Sequence, residues 1–212
     1  MSPRGKKTTT AKGRNQAPDR PAKSAVDLRI IAGQWRGRRW RFLAAVGVRP
    51  TPDRVRETLF NWLAPRIAAA RCLDLYAGSG ALGLEALSRG AGHVTFVEKQ
   101  RPVAEALQAQ LALWKASNYE LHVADAGTWL AQVAGPPFDI VFLDPPFDAG
   151  LTTAVLAKLR ARHLLAPGGW VYLEQPADAP LPDDWVVHRS GRAGAVGYHL
   201  LHEAQRPVSG HV

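Results

Sequence analysis

Between residues 71 and 173, short apolar runs alternate with longer segments whose apolar residues recur at helical spacing. The short runs predict strands, because each has only four or five residues and most are rich in β-branched or aromatic side chains. The predicted strands are 72–76, 93–97, 121–124, 139–143 and 170–173, and the predicted helices are 81–89, 102–115, 127–133 and 151–163. This regular alternation predicts an α/β protein with a parallel sheet and helices on both faces.

Two further pairs of apolar runs lie outside the alternation, one before it and one after it. The first pair predicts an N-terminal β-hairpin, and the second predicts an antiparallel hairpin near the C-terminus. Their strands are 28–33 with 38–42, and 185–189 with 198–202. Between the first hairpin and the alternation, Thr51-Pro52-Asp53 predicts the start of a helix, with Thr51 as its cap and Pro52 at its first position.

Asp144-Pro145-Pro146-Phe147 follows the apolar strand 139–143 directly. Two successive prolines lack N–H donors and stiffen the chain, so the segment offers a carboxylate, unpaired carbonyls and a flat ring. These groups suit a planar substrate with an amino group, although Asp and Pro are also common in ordinary turns. Ligands of parallel sheets bind beyond the carboxyl ends of the strands. Asp144, Pro145, Pro146 and Phe147 are therefore the candidate catalytic residues.

A glycine-rich loop follows the first strand of the alternation, from Asp74 to Gly83. Glycines allow close approach to a ligand, and the N-terminus of the next helix directs N–H groups toward it. Gly78, Gly80 and Gly83 match the G-x-G-x-x-G pattern of dinucleotide-binding proteins. An NAD-dependent oxidoreductase is therefore one alternative.

Acidic residues around this loop favour a different cofactor. Asp74 at the mouth of the loop would repel a pyrophosphate but attract an ammonium group. Glu98 would bind ribose hydroxyls, and Asp125 could accept from an adenine amino group or simply cap a helix. A cofactor with one adenosine, no phosphate and a cationic end fits this ring, which describes S-adenosylmethionine. The predicted cofactor residues are Asp74, Tyr76, Ala77, Gly78, Gly80, Glu98, Lys99, Asp125, Ala126 and Asp144.

The charge of the chain is concentrated near its N-terminus. The net charge is +9, but residues 1–60 hold 15 Lys and Arg against four Asp and Glu, so they carry +11 and the rest carries −2. This asymmetry predicts an arm that binds a polyanion. Arginines interleaved with tryptophans suit RNA, whose phosphates take the cations and whose unpaired bases stack on the rings. The predicted RNA contacts are Arg29, Trp35, Arg36, Arg38, Arg39, Arg41, Arg54 and Arg56.

Composition sets the remaining expectations. Cys72 is the single cysteine, so internal disulfides and a cysteine-built metal site are excluded, and we expect no metal and a reducing cytoplasm. No apolar stretch approaches the length of a membrane span, and the basic N-terminus lacks the apolar region of a signal peptide. The predicted organisation is a basic disordered tail, an RNA-binding hairpin, a catalytic domain and a short C-terminal tail, at 1–27, 28–50, 51–205 and 206–212.

Together these residues resemble the Rossmann-like class I S-adenosylmethionine-dependent methyltransferases that carry an Asp/Asn-Pro-Pro-aromatic motif. More narrowly, the chain resembles the RsmD family of bacterial 16S ribosomal RNA guanine-N2 methyltransferases. The first two matching segments are the specific ones, because the glycine loop and DPPF occur in many methyltransferases. The segments are LRIIAGQWRGRRW (28–40), RPTPDRVRETLFNWL (49–63), LDLYAGSGALGLEALSRGA (73–91), VEK (97–99), DIVFLDPPF (139–147) and LAPGGWVYLE (165–174).

The resemblance implies a seven-stranded, mostly parallel sheet whose last two strands form an antiparallel edge hairpin. It implies that DPPF holds a flipped-out guanine, guanine 966 of 16S ribosomal RNA in this family. It also implies a monomer whose partner is 16S ribosomal RNA or the assembling small ribosomal subunit, and the sequence leaves open whether the substrate is naked RNA, an assembling subunit or a mature one. The alternatives are a DNA amino-methyltransferase, a non-catalytic RNA-binding assembly factor, the NAD-dependent oxidoreductase and a small-molecule amine methyltransferase.

Overall fold

The computed structural model describes residues 25–43, 51–146 and 149–204, with the backbone alone at 25, 26, 43 and 149. Every predicted helix and strand is present within these ranges, with ends shifted by a few residues. The elements are β1 (Ala25–Arg29), β2 (Arg39–Leu43), α1 (Asp53–Leu63), β3 (Arg71–Asp74), α2 (Ala81–Ser88), β4 (His93–Glu98), α3 (Arg101–Leu113), β5 (Tyr119–Val123), α4 (Ala126–Gln132), β6 (Phe138–Leu143), α5 (Ala149–Ala161), β7 (Leu165–Pro176), β8 (Trp185–Ala193) and β9 (Val196–Glu203).

Seven of the strands form one sheet in the order β5-β4-β3-β6-β7-β9-β8. Strands β3 to β7 are mutually parallel, whereas β9 runs antiparallel to both β7 and β8. The predicted fold class is therefore confirmed. Strand order reverses at β3, which lies between β4 and β6, and this reversal opens a crevice at the carboxyl edge of the sheet.

Successive side chains along each strand point to opposite faces of the sheet, and each face has its own hydrophobic core. One face, with Phe96, Phe142 and Tyr172, is covered by α1, α2, α3 and the β1–β2 hairpin. The opposite face, with Val141 and Leu173, is covered by α4 and α5, and Trp185 of β8 belongs to the same core. Because strands at the centre of the sheet are buried on both faces, their sequences are continuous apolar runs rather than alternating ones.

The β1–β2 hairpin is docked on the body of the protein. The side chain of Glu85 in α2 accepts from the backbone N–H groups of Ile31 (2.8 Å) and Ala32 (3.0 Å). Trp35 and Trp40 are only 5% and 6% exposed and belong to the same core as α1, α2 and α3. The prediction that Trp35 stacks on RNA bases is therefore wrong: its ring packs on Trp114, with 5.3 Å between ring centroids.

Three local predictions also need correction. Thr51 does not cap α1; Pro52 occupies the cap position, and the Thr51 hydroxyl donates to Glu174 across the fold. Residues 167–169 do not form a turn before a strand but belong to β7, where the register with β6 shifts. Strands β8 and β9 extend to Ala193 and Val196, so their connection is tighter than predicted.

Candidate active site

An acidic side chain stands at or just beyond the carboxyl end of each of the five parallel strands. Asp144 and Glu174 continue the register in which Leu143 pairs with Leu173, so they are neighbours on one face of the sheet. In the spatial order β5-β4-β3-β6-β7, the acids are Asp125, Glu98, Asp74, Asp144 and Glu174. The five acids are far apart in the sequence, but the order of the strands places them side by side along the carboxyl edge of the sheet, where they form an acidic arc.

A cavity of about 290 Å³ opens beside this arc. Nearly all of the predicted cofactor residues line it, together with the first part of the DPPF segment. The predicted residues that line it are Asp74, Tyr76, Ala77, Gly78, Glu98, Lys99, Asp125, Ala126, Asp144, Pro145 and Pro146. The predicted ring contact of Phe147 lies outside the described residues.

Gly80 is the predicted cofactor residue that the cavity lining does not include. It is the N-cap of α2 with a φ of 73°, and a Cβ there would lie 2.5 Å from Leu107 Cδ1. Its glycine identity therefore follows from the left-handed backbone and the packing of α3, rather than from contact with a ligand.

Asp74 is buried beneath the glycine loop. Its Oδ2 accepts from the Gly83 N–H (2.9 Å), and a Cβ on Gly83 would lie 2.1 Å from Phe96 Cε1. Gly83 therefore permits α2 to pack directly on the strands. Burial raises the pKa of Asp74 to about 7, the Gly83 hydrogen bond opposes the shift, and the negative charge of Glu98 adds to it.

Glu98 shapes the glycine loop itself. Its Oε2 accepts from the Gly78 N–H (2.9 Å) and its Oε1 from the Gln100 N–H (2.7 Å). Gly78 has a φ of 48°, a conformation in which glycine avoids strain. Each carboxylate oxygen can accept a second donor, so both oxygens can still take ribose hydroxyls. Sequence reasoning missed the loop-fixing role of Glu98.

Asp125 is the N-cap of α4, where its Oδ1 accepts from the Thr128 N–H (3.0 Å) and hydroxyl (3.3 Å). The capping alternative raised by the sequence is therefore correct, and it does not prevent the side chain from lining the cavity. Cap and ligand contact are compatible, because the second carboxylate oxygen can accept from a ligand.

Tyr76 lines the cavity and carries a buried hydroxyl. The side chain is half-buried, and among the described residues the hydroxyl has no hydrogen-bond partner. Burial, followed by the charge of Asp125, raises the pKa of Tyr76 to about 12, so the hydroxyl remains a donor at neutral pH. A buried hydroxyl without a partner, in a residue that lines the cavity, fits a ligand that supplies a hydrogen-bond acceptor.

Asp144 and Glu174 are neighbouring acids of the arc at the carboxyl ends of the adjacent strands β6 and β7. Burial raises the pKa of Asp144 well above its usual range, and the charges of Glu174 and Asp74 add to this shift. Glu174 is 6% exposed, and its Oε1 accepts from the Thr51 hydroxyl (2.9 Å) and the Tyr172 hydroxyl (2.8 Å). Sequence reasoning missed Glu174, although an acid ending the apolar strand WVYLE was a usable signal.

The predicted RNA contacts divide into exposed and buried residues. The exposed arginines are Arg29, Arg36, Arg38, Arg39, Arg41 and Arg54. Among these, Arg29 pairs with Asp53 (3.5 Å) and Arg41 with Asp27 (3.2 Å).

Arg56 was predicted to contact RNA, and this prediction is wrong, because the side chain is fully buried. Its Nη2 donates to the Arg29 carbonyl (2.9 Å) and pairs with Asp53 (2.5 Å), while its Nη1 lies 3.6 Å from Glu85 Oε2. Arg56 therefore ties α1 to the hairpin and to α2.

A larger cleft of about 1550 Å³ lies at the amino-terminal edge of the sheet, between α5 and the β7–β9 strands. Its polar groups include the Arg160–Asp184 ion pair (2.6 Å), and none of the strand-end acids lines it. The smaller cavity is therefore the candidate active site. No helix in the described part of the chain has the length and apolar character needed to cross a bilayer.

The sheet order, the glycine loop and the acid-lined cavity define a Rossmann-like methyltransferase whose methyl donor is S-adenosylmethionine. Solved structures share this fold. The structure of "Putative methyltransferase yhhF" from Escherichia coli is 46% identical, with a TM-score of 0.76, covering 84% of this chain and 98% of that one. A methylase structure from Haemophilus influenzae, HI0767, also named as putative, is 40% identical, with a TM-score of 0.73, covering 85% of this chain and 100% of that one.

Sequence relatives narrow the class to one family. The family model "Conserved hypothetical protein 95" matches residues 28–202. Ribosomal RNA small subunit methyltransferase D of Escherichia coli (strain K12) is 48% identical over 84% of this chain and 91% of its own length. The Haemophilus influenzae protein of the same name is 44% identical over 82% of this chain and 93% of its own length. The chain therefore belongs to this family, the RsmD family.

Proposed function

We propose that the protein transfers a methyl group from S-adenosylmethionine to the exocyclic N2 amine of a guanine in 16S ribosomal RNA. The observation that carries this proposal is the position of Asp144 and Pro145, which line the same cavity as the glycine loop. The names of the relatives support ribosomal RNA of the small subunit as the substrate. The choice of guanine 966 rests on the family resemblance, and the cytoplasm follows as the compartment where bacterial ribosomes assemble.

The strand-end segment suits an aromatic amine. The lone pair of such an amine is delocalised into the ring, so the nitrogen is a weak nucleophile. Hydrogen bonds from its two N–H groups to the Asp144 carboxylate and the Pro145 carbonyl would favour a pyramidal nitrogen with a localised lone pair. The bound cofactor supplies an electrophilic methyl group, and the protein contributes mainly by holding the nitrogen in line with it.

Asp144 also has a role after the methyl group has moved. The product nitrogen carries a positive charge and an extra proton. An ionised Asp144 would stabilise that charge, and because burial raises its pKa, it could also accept the proton before passing it to water. Phe147 would stack on the flipped base, and this contact stays a prediction.

The exposed arginines of the hairpin and of the start of α1 would bind the RNA backbone. Arg36, Arg39 and Arg54 make no ion pair with any other described residue. Cations without protein partners are available to phosphates. With Trp35 and Trp40 in the core, docking depends on charge rather than on base stacking by these two rings.

Substitution of Asp144 tests the assignment. Asp144→Ala should lower methyl transfer to 16S ribosomal RNA by about 10²-fold or more, because it removes a group that acts on the reacting nitrogen. Binding of S-adenosylmethionine, measured by calorimetry, should change little. The RNA should come from a strain lacking this protein and be supplied both naked and in small subunits.

Asp183→Ala is the matched control, since Asp183 is an exposed acid that does not line the cavity. Its activity should equal that of the unmodified protein. Mass mapping of the RNA identifies the modified base, and parallel reactions with duplex DNA address the DNA amino-methyltransferase alternative. Full activity of Asp144→Ala, or methylation of DNA in place of RNA, would contradict the proposal.

A further inference from the structure

Glu174 is a buried carboxylate directly beside the candidate catalytic Asp144. It lies near the carboxyl end of the neighbouring strand β7, one position after the Leu143–Leu173 pair. It does not line the cofactor cavity, whereas Asp144 and Thr51 do. Glu174 therefore cannot be explained as a direct cofactor contact, and a buried acid without such a task calls for a different role.

Two hydroxyl groups hold Glu174 in place. Thr51 and Tyr172 both donate to the same oxygen, Oε1, at 2.9 and 2.8 Å. Hydroxyl donors stabilise a carboxylate in its ionised form. Among the described residues, neither Glu174 nor Asp144 forms an ion pair with a lysine or arginine. Within the described residues, hydroxyl donors rather than a cation are therefore what stabilises charge on this pair.

The groups around this pair are acidic or hydroxylic from every packed strand. Asp74 faces Asp144 from β3, Tyr172 lies on β7, and Tyr198 on β9 pairs with Glu174 in register. Two adjacent carboxylates in such surroundings resist carrying two negative charges, so one proton is retained by the pair. Since Glu174 has two hydroxyl donors, the negative charge favours Glu174 and the proton favours Asp144.

We propose that Glu174 is a positioning residue that acts through Asp144, because its charge sets the pH above which Asp144 becomes a full hydrogen-bond acceptor for the substrate amine. Loss of the shared proton to solvent converts Asp144 from a carboxylic acid into a carboxylate, which can accept from N–H groups on both oxygens. Glu174 thereby governs the acidic limit of catalysis without touching the substrate. This inference rests on the proposed function for its catalytic meaning, but not for its test.

The test is a titration of Asp144 in the ligand-free protein. Protein labelled with ¹³C at the aspartate side-chain carboxyl reports each aspartate by NMR, and Asp144→Asn identifies the Asp144 signal. In Glu174→Gln, which keeps the size and the oxygen acceptor but removes the charge, the Asp144 midpoint should fall by about one pH unit or more. Glu174→Met is a second neutral variant that should move the midpoint in the same direction.

Tyr172→Phe is the control, since it removes a hydroxyl from the same cluster but leaves the charge on Glu174. Its Asp144 midpoint should move much less than in Glu174→Gln, because the charge of Glu174 and the Thr51 donor remain. On 16S ribosomal RNA, the acidic limb of kcat/KM for Glu174→Gln should shift to lower pH together with the NMR midpoint.

An Asp144 midpoint that does not move in folded Glu174→Gln, or that moves equally in Tyr172→Phe, would overturn the inference. This outcome is independent of the substrate. Absence of RNA methylation by the unmodified protein would instead overturn the proposed function and leave the titration result standing.

Discussion

The burial of an individual side chain can sometimes be predicted from the sequence, whereas its partners often depend on the fold. Arg54 and Arg56 stand two residues apart at the start of α1, yet one is exposed and the other fully buried. Arg56 lies four residues before the buried Phe60, so helical periodicity alone could have placed it on the inner face. Its partner Glu85 is 29 positions away in α2. A pairing across that separation cannot be recognised from local pattern.

Asp74 gives a prediction at the scale of one residue. Because burial raises its pKa to about 7, the ligand-free protein holds a proton there in mildly acidic solution. A cationic cofactor favours the ionised carboxylate, so binding must release that proton. The affinity for S-adenosylmethionine should therefore fall by up to about tenfold from about pH 7 to about pH 6. Calorimetry in buffers of different ionisation enthalpy measures both the affinity and the released proton.

Asp74→Asn is the control for that experiment, since the amide oxygen can still accept from the Gly83 N–H. The variant should bind more weakly and lose the part of the pH dependence that Asp74 causes. The same pKa bears on stability. A raised folded-state pKa stabilises the fold fully below about pH 4, and this contribution is lost as the pH rises through about 7. In the binding experiment, an affinity of the unmodified protein for S-adenosylmethionine that stays the same from about pH 7 to about pH 6 would contradict the role of Asp74 in cofactor binding.

At the scale of elements, the βα alternation was predictable because period and length identify each unit locally. The position of the β1–β2 hairpin was not predictable, since its hydrogen bonds to side chains of α2 join residues more than 50 positions apart. Its two tryptophans illustrate the difficulty. An aromatic residue among arginines is compatible both with RNA stacking and with a core contact, and only the location of α2 and α3 distinguishes these possibilities.

Two glycines of the hairpin loop test how firmly it is docked. Gly33 and Gly37 have nearly equal φ values of 82° and 80°, but a Cβ on Gly33 would lie 1.8 Å from the Ser88 backbone oxygen, whereas Gly37 faces open space. Gly37→Ala should cost about 1–2 kcal/mol, the strain of a left-handed conformation. Gly33→Ala carries the same strain and must also displace the loop from α2, so it should cost at least about 2 kcal/mol more.

Equilibrium urea unfolding of both variants measures this difference in the free energy of unfolding. The two glycines serve as each other's control, because their backbone conformations match and their surroundings do not. Equal losses would mean that the loop does not depend on its contact with α2.

At the scale of the whole molecule, the structure describes only part of the N-terminal region that carries the excess positive charge, namely residues 25–43 and those from 51 onward. The described segment 25–43 packs on the face of the sheet that α1, α2 and α3 also cover, and its arginines are exposed there. Strand β8, by contrast, is an edge strand of the sheet. The apolar side of the hairpin completes the core. Deleting residues 28–43 would therefore expose that core, and loss of RNA binding in such a deletion would not identify the docking surface.

Paired substitutions of exposed arginines give a cleaner test of RNA docking. Arg36→Gln with Arg39→Gln removes two hairpin cations, whereas Arg189→Gln with Arg192→Gln removes two exposed cations from β8 at the far edge of the sheet. Each lost phosphate contact should reduce the slope of log affinity against log salt by about 0.7–1. The hairpin variant should therefore bind 16S ribosomal RNA more weakly at low salt and with a slope smaller by about 1.4–2. The β8 variant should match the unmodified protein, and a larger effect in β8 than in the hairpin would move the RNA surface to that edge of the sheet.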